Sequence, residues 1–259
     1  MEIERGVAIV TGSATGIGAA TARALAARGC RVVVNYTRSE AEAGATAAAC
    51  GEAGVEAISV RADVSSDADC RALTAATFDR WGRIDVLVNN AGITRFVAGT
   101  DLDGLTAEDF QRIYAVNLIG PYQMARACAP HMKASGRGAI VNVSSTAGVF
   151  GTGSSIAYAA SKGALNTLTL ALARVLAPEI RVNAVCPGFV QTRWHLAARG
   201  EAAYAAHVRE WEEIAPLRKA ATPEDVAGTI LSFIEGPDLV TGQLLVADAG
   251  ASLGGRARR

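Results

Sequence analysis

A phenol and a primary amine stand four positions apart in YAASK, as Tyr158 and Lys162, inside an alanine-rich stretch of helix-forming composition. On an α-helix such a pair shares one face, which sets the lysine ammonium near the tyrosine oxygen. A free phenol, with a pKa of about 10, exchanges protons poorly at neutral pH, and a neighbouring cation favours its ionised form. The pair therefore reads as a tuned proton donor and acceptor. A buried tyrosine beside a solvated lysine would look the same in isolation, so the rest of the chain has to decide.

A second set of residues suits phosphate. VAIVTGSATGIGAATARALAARG reads as a strand, a glycine turn and a helix, in which Gly12, Gly16 and Gly18 let the backbone bend tightly and approach a pyrophosphate. The free amides and dipole of the helix N-terminus favour that charge. Glycines also serve plain tight turns, so the flanking strand and helix carry the assignment.

Those side chains need a scaffold, and the chain supplies a regular one. Short β-branched runs (VAIVTG, RVVVNY, AISVRADV, IDVLVNNAG) alternate with alanine-rich helical stretches. The rhythm predicts βαβ units, hence an α/β fold with a doubly wound parallel sheet and helices on both faces. A capping-box pattern, TAEDF from Thr106, predicts a helix running toward His131. The strand AIVNVSS follows, then a helix from about Tyr158 to Ala177, the strand IRVNAVCPG and a last strand in TGQLLVADAG. KASGRG is a turn, Asp85 in RIDVLVNN reads as structural, and the GGRARR end reads as a disordered tail. With no linker and no repeat, residues 1–259 form one domain.

Bulk properties narrow the partners. Half of the 259 residues are hydrophobic, ample for one buried core, and 25 basic residues balance 25 acidic ones. Nothing marks the chain for nucleic acid or an anionic membrane, which leaves a small molecule. Five scattered cysteines, without a CxxC pair, fit reduced buried thiols. The start MEIERGVAIVTG is no signal peptide, and no run reaches the roughly 18 apolar residues of a membrane span, so a soluble, cytoplasmic protein is expected. His195 and His207 are too far apart for a helical metal pair, and no metal site is expected.

Taken together, TGxxxGxG, NNAG at positions 89 to 92, Ser145, Tyr158 and Lys162 resemble the short-chain dehydrogenase/reductase family over essentially the whole chain. The resemblance implies a single-domain Rossmann sheet of about seven parallel strands and hydride transfer between a nicotinamide and a ketone or secondary alcohol. It makes Tyr158 the proton donor or acceptor, Ser145 the holder of the carbonyl oxygen, Lys162 also a ligand of the nicotinamide ribose, and Asn117 the support of a water relay. Ser144 is the rival of Ser145, but the thirteen-residue spacing to Tyr158 favours Ser145.

The same carry-over places Ser13, Thr15 and Ile17 with the three glycines around the pyrophosphate, and Asp63 and Val64 beside the adenine. Asp63 equally fits a helix N-cap. The stretch Asn89, Asn90, Ala91 and Gly92 would line the adenosine ribose, and Pro187, Gly188, Val190 and Thr192 the nicotinamide. Residues 193–222 fill the slot of a substrate lid. Trp194, Tyr204 and Trp211 there, with Phe96, Val149 and Phe150, are candidate pocket walls, although aromatics at helical spacing more often just pack.

At the end of RVVVNY, Tyr36 occupies the position where an NAD enzyme commonly places an acid, and Thr37 and Arg38 offer a hydroxyl and a guanidinium to a 2'-phosphate. NADP(H) is therefore preferred, with NAD(H) possible. ITR after NNAG resembles the 3-oxoacyl-acyl-carrier-protein reductases, and Lys133, Arg137 and Arg174 could attract an acidic carrier, but a free small ketone, sugar or hydroxy acid is preferred over an acyl carrier protein. A non-enzymatic dinucleotide sensor would not need Ser145, Tyr158 and Lys162 together. A sugar-nucleotide epimerase would carry a longer chain and TGxxGxxG. The resemblance also implies a homotetramer.

Overall fold

The computed structural model describes residues 1–254; the rest of the GGRARR tail lies outside the described residues. Each β-branched run forms a strand: β1 (Val7–Val10), β2 (Arg31–Tyr36), β3 (Ala57–Arg61), β4 (Val86–Asn89), β5 (Gly138–Val143), β6 (Ile180–Pro187) and β7 (Leu244–Ala247). They pair in parallel in the order β3-β2-β1-β4-β5-β6-β7. The chain winds outward from β1 through β3, then returns to lay β4 on the other side of β1. At that reversal the connections leave in opposite directions, which opens a crevice at the carboxyl ends of β1 and β4.

The helices are α1 (Gly16–Ala26), α2 (Glu40–Gly51), α3 (Asp67–Trp81), α4 (Ala107–Tyr114), α5 (Gly120–Ala134), α6 (Ala147–Phe150), α7 (Ile156–Leu176), α8 (Arg193–Arg199), α9 (Glu201–Ile214) and α10 (Pro223–Glu235). Because successive strand side chains point to opposite faces, two cores form. Ala8, Val10, Val32, Val34, Val86 and Val88 pack with Leu25 of α1 and Ile230 of α10. Ile9, Val33, Leu87 and Ile140 pack with Leu73 of α3, Met132 of α5 and Leu172 of α7.

Two helices differ from their expected form. The helix predicted from Thr106 starts there, with Thr106 accepting from the Asp109 amide and Asp109 from the Thr106 amide. It is then interrupted by a π turn, Ala115–Ile119, before continuing as α5 to Ala134. Helix α7 begins two residues ahead of Tyr158 because the Ser155 hydroxyl accepts from the Tyr158 amide at 3.2 Å, a cap whose position the composition of YAASK does not reveal. Asp85 is structural: its buried carboxylate accepts from the Val7 amide at 2.8 Å and from the Arg83 guanidinium at 2.7 Å, tying the start of β1 to β4.

Candidate active site

The end of β5 and the first turns of α7 bring Ser145, Tyr158 and Lys162 together. The Ser145 hydroxyl hydrogen-bonds the Tyr158 phenol, and its oxygen also accepts from the Ala147 amide at 3.1 Å. Ser144 points elsewhere: its buried hydroxyl donates to Asn166 Oδ1 at 2.6 Å, so only Ser145 faces the phenol. Lys162 is 3% exposed, and its ammonium donates to the Val143 carbonyl at 2.7 Å and lies 5.7 Å from the centroid of the Tyr158 ring.

Burial dominates the electrostatics. Crowding protein atoms push the Tyr158 phenol up to about 12, against the pull of its Ser145 hydrogen bond. Burial brings Lys162 down to about 8. The expected depression of Tyr158 by its lysine is thus not the leading effect: burial outweighs it, while Lys162 at about 8 stays largely protonated at neutral pH. With its phenol held protonated at neutral pH, Tyr158 is equipped to donate a proton.

Asn117 comes from the π turn and is fully buried. Its Oδ1 accepts from the Ile93 amide at 2.8 Å while its Nδ2 donates to the Ile93 carbonyl at 3.0 Å and to Ser161 Oγ at 3.0 Å. It therefore fixes the loop that follows NNAG against α7. Gly92 opens toward both partners: a Cβ there would stand 3.6 Å from Lys162 Nζ and 3.5 Å from Asn117 Oδ1.

The glycine turn forms a cradle that side chains would fill. Gly12 and Gly16 have φ of +60° and +59°, and a Cβ on Gly12 would lie 2.9 Å from the Ala91 Cα. On Gly18 it would lie 2.7 Å from the Gly12 carbonyl. Thr15 precedes α1 without a side-chain cap bond, leaving the first-turn amides to face the crevice beside Ile17. Ser13, expected at the pyrophosphate, is instead fully buried, its amide donating to the Asn35 carbonyl at 2.9 Å and its hydroxyl to the Val10 carbonyl at 2.6 Å. That donor-rich, Cβ-free concavity fits the pyrophosphate of an NAD(P) dinucleotide.

Two side chains brace the cradle: Asn90, expected along the adenosine ribose as part of NNAG, and Asn35, which the sequence did not single out. Asn35 Oδ1 accepts from the Gly12 amide at 3.0 Å, and Asn90 Nδ2 donates to the Thr11 and Gly12 carbonyls at 2.9 Å. A lone amide in the apolar run RVVVNY was the available signal, since a buried polar group needs partners.

Other expected cofactor residues divide. Asn89 is buried and donates to Asn142 Oδ1 at 2.9 Å, so its side chain belongs to the core; as the last residue of β4 it faces opposite to Asn90. Val64 is also buried, against Gly120, where a Cβ would come within 2.8 Å of its Cγ2. Asp63 is not the N-cap of α3, which is Ser66; its carboxylate folds the preceding turn by accepting from the Ser65 amide and hydroxyl. Ala91 and Gly92 stay at the crevice. Tyr36 is half-buried with its phenol hydrogen-bonded to Glu40, while Thr37 and Arg38 are exposed.

Pro187 and Val190 are buried, and Val190 pairs with Ala221, closing the base of the 193–222 excursion. Thr192 lies over the glycine turn, its Cγ2 3.6 Å from where a Gly16 Cβ would be. Of the candidate walls, Trp194 meets the Tyr158 ring edge-on at 5.9 Å, and Phe96, Val149 and Phe150 are exposed. Tyr204 and Trp211 instead pack on Phe189, a residue the sequence did not single out, together with His195 and His207. Trp211 also covers Gly188, where a Cβ would come within 2.7 Å of its ring. Burial brings His195 down to about 4, and the buried His195 Nδ1 and Trp211 Nε1 have no hydrogen-bond partner among the described residues. Also among these residues, no helix is long and apolar enough to cross a membrane.

Comparison with known proteins agrees with this geometry. A family model described as enoyl-(acyl carrier protein) reductase matches residues 12–252. A Streptomyces violaceoruber protein named as ketoacyl reductase 2 of the granaticin polyketide synthase is 46% identical over 250 residues, covering 96% of this chain and 97% of its own. The 3-oxoacyl-[acyl-carrier-protein] reductase of Synechocystis is 39% identical over 247 residues, 94% of this chain and 96% of its own. Among solved structures, one described as a short-chain dehydrogenase/reductase from Burkholderia xenovorans superposes with a TM-score of 0.90 at 42% identity, covering 96% of this chain and 98% of that one.

Proposed function

This chain belongs to the short-chain dehydrogenase/reductase family, oxidoreductases acting between CH–OH and C=O groups, and on that premise we propose that it works as an NADP(H)-dependent reductase of a small ketone with Tyr158 as proton donor. The observation that carries the proposal is the Ser145 hydroxyl bonded to the Tyr158 phenol, with Lys162 buried one helical turn away. Two hydroxyls converging on one point suit a carbonyl oxygen that becomes an alkoxide. Ser145 donates a hydrogen bond to that oxygen, and Tyr158 passes it a proton. Lys162 lends its charge to the departing proton's site and offers its remaining donors to the nicotinamide ribose; Asn117 holds α7 in register with Gly92.

The glycine turn, with Thr15 and Ile17, takes the pyrophosphate. Ala91 and Gly92 line the adenosine side, and Thr192 the nicotinamide side. The bound nicotinamide supplies the hydride. Tyr36 carries no charge to repel a 2'-phosphate, and the exposed Arg38 offers a cation to it, which favours NADP(H), with NAD(H) as the alternative. Residues 193–222 act as the cover over the substrate, with Trp194 closing the pocket above Tyr158. Ile119, Tyr122, Leu170 and Val175 are exposed on α5, α7 and the π turn, apolar surface that suits a homotetramer. Five buried free thiols suit a reducing, cytoplasmic setting.

The names of the Streptomyces and Synechocystis relatives favour a second reading, a 3-oxoacyl group delivered on a carrier protein. One experiment tests both. Free ketones, secondary alcohols and acetoacetyl thioesters are mixed with NADPH or NADH while nicotinamide absorbance is followed. Turnover of free ketones with NADPH is expected; turnover of the thioester alone would select the second reading, and no turnover of either would overturn the first.

A further inference from the structure

We propose that Arg193, the first residue of α8, is a second cofactor-reading cation, gripping the phosphate on the adenosine ribose together with Arg38. The proposal rests on the NADP(H) reading above and deepens it. Thr192 sits over the glycine turn, and the next side chain runs from there to the adenosine end of the crevice. Arg193 Nη1 donates to Glu42 Oε1 at 3.0 Å and Nη2 to Ser39 Oγ at 3.1 Å. Ser39 directly follows Arg38, so Arg193 is anchored on the loop that carries Arg38. That loop leaves the end of β2, where a dinucleotide's adenosine ribose is read in this fold class.

Charge favours a further cation. Around the loop Glu40 and Glu42 stand against Arg38 and against Arg61, which pairs with Tyr36 in the register of β2 and β3, and residues 11 to 18 of the glycine turn bring no basic side chain. A phosphate beside two carboxylates and two guanidinium groups would meet no net attraction. Arg193 corrects the balance by pairing with Glu42, while Glu40 is engaged by the Tyr36 phenol.

The pairing is also easy to exchange. Arg193 and Glu42 keep 56% and 47% of their side-chain surface exposed, and ion pairs that open to water contribute little to stability. Five donors sit on a guanidinium, and its planar fork matches phosphate oxygens in a bidentate way. Ser39 makes no side-chain cap bond to α2, so its hydroxyl, which accepts from Arg193, still has its own proton to give to the same phosphate.

Calorimetry on the intact protein tests this with two probes, adenosine 2',5'-bisphosphate and adenosine 5'-monophosphate, so that neither the nicotinamide nor turnover enters the readout. Arg193→Ala should weaken the bisphosphate by about tenfold or more and the monophosphate by less than about threefold. Glu42→Gln should tighten the bisphosphate severalfold, since Arg193 loses its competing partner. Equal losses for both probes in Arg193→Ala, or no loss, would overturn the proposal. Arg38→Ala runs alongside: if it abolishes a wild-type preference for the bisphosphate that Arg193→Ala leaves intact, only the role of Arg193 fails. A wild-type protein with no such preference defeats the NADP(H) reading as well.

Discussion

Behind the phenol, at the join of β5 and α7, the buried side chains are largely bonded to one another, although Asn89 Oδ1 has no partner among the described residues. Asn142 accepts from Asn89 and donates to Thr169, Ser144 donates to Asn166, Asn166 donates to the Gly148 carbonyl, and Lys162 donates to the Val143 carbonyl. Across the crevice, neither α8 nor α9 contains a buried residue, and their rings gather round Phe189 with two ring nitrogens left without partners. One wall is positioned by directional bonds and the other by apolar contact. Directional networks hold a geometry to fractions of an ångström, as proton transfer requires, whereas apolar packing tolerates rearrangement and occupies the low-stability end of a fold. Chemistry and substrate range are thereby assigned to walls of different stiffness.

The largest effect should come from the stiff wall. Tyr158→Phe removes one oxygen from a scaffold that other residues hold, so turnover should drop by about a hundredfold or more while NADPH affinity and melting temperature stay near wild type. A variant that keeps a tenth of the activity, or that melts early, would erase the distinction between chemistry and scaffold.

Phe189→Ala tests the soft wall. Loss of the ring should speed amide hydrogen exchange across 193–214 by about tenfold or more and leave Gly138–Val143 almost unchanged. Exchange rising equally in both regions would mean that they form one cooperative unit.

The smallest effect measures what the stiff wall costs. Lys162 titrates near 8 in the folded protein against 10.5 ordinarily, so below about pH 8 the fold carries a buried charge and its stability should rise as pH passes from 8 to 10.5. Lys162→Met should therefore melt a few degrees higher than wild type at pH 7, a gain on the order of 1 to 2 kcal/mol that fades as pH approaches the upper value. A lower melting temperature at pH 7 would show that the bond to Val143 outweighs the buried charge.

The same division governs how much was legible in the sequence. Strand alternation, the Tyr158 and Lys162 spacing and the Thr106 capping box are local patterns, and their elements are found where they were expected. Asn35 belongs to no motif, and Asn90 reads only as part of NNAG at the adenosine ribose, because the bonds by which they brace the glycine turn span 23 and 78 residues. Asn89 is expected at the cofactor, but as the last residue of β4 it turns its side chain to the core, and a single step along a strand exchanges crevice for core. Phe189 was overlooked because apolar packing leaves no spacing rule; only the fold shows which aromatic ring becomes the hub.

The π turn at Ala115–Ile119 makes chain length itself a constraint. One residue beyond the regular helical count is wound in there, which re-clocks α4 relative to α5 by about 100° about a shared axis. Ile113, 2% exposed, faces inward only at that setting. Substitutions along 107–134 can therefore be absorbed one at a time, but losing or gaining a single residue at the π turn would rotate all of α4, swing Ile113 out of the core and pull the Asn117 amide off Ile93. Relatives of this chain can drift in sequence through the segment, yet their alignments should run through it without a gap.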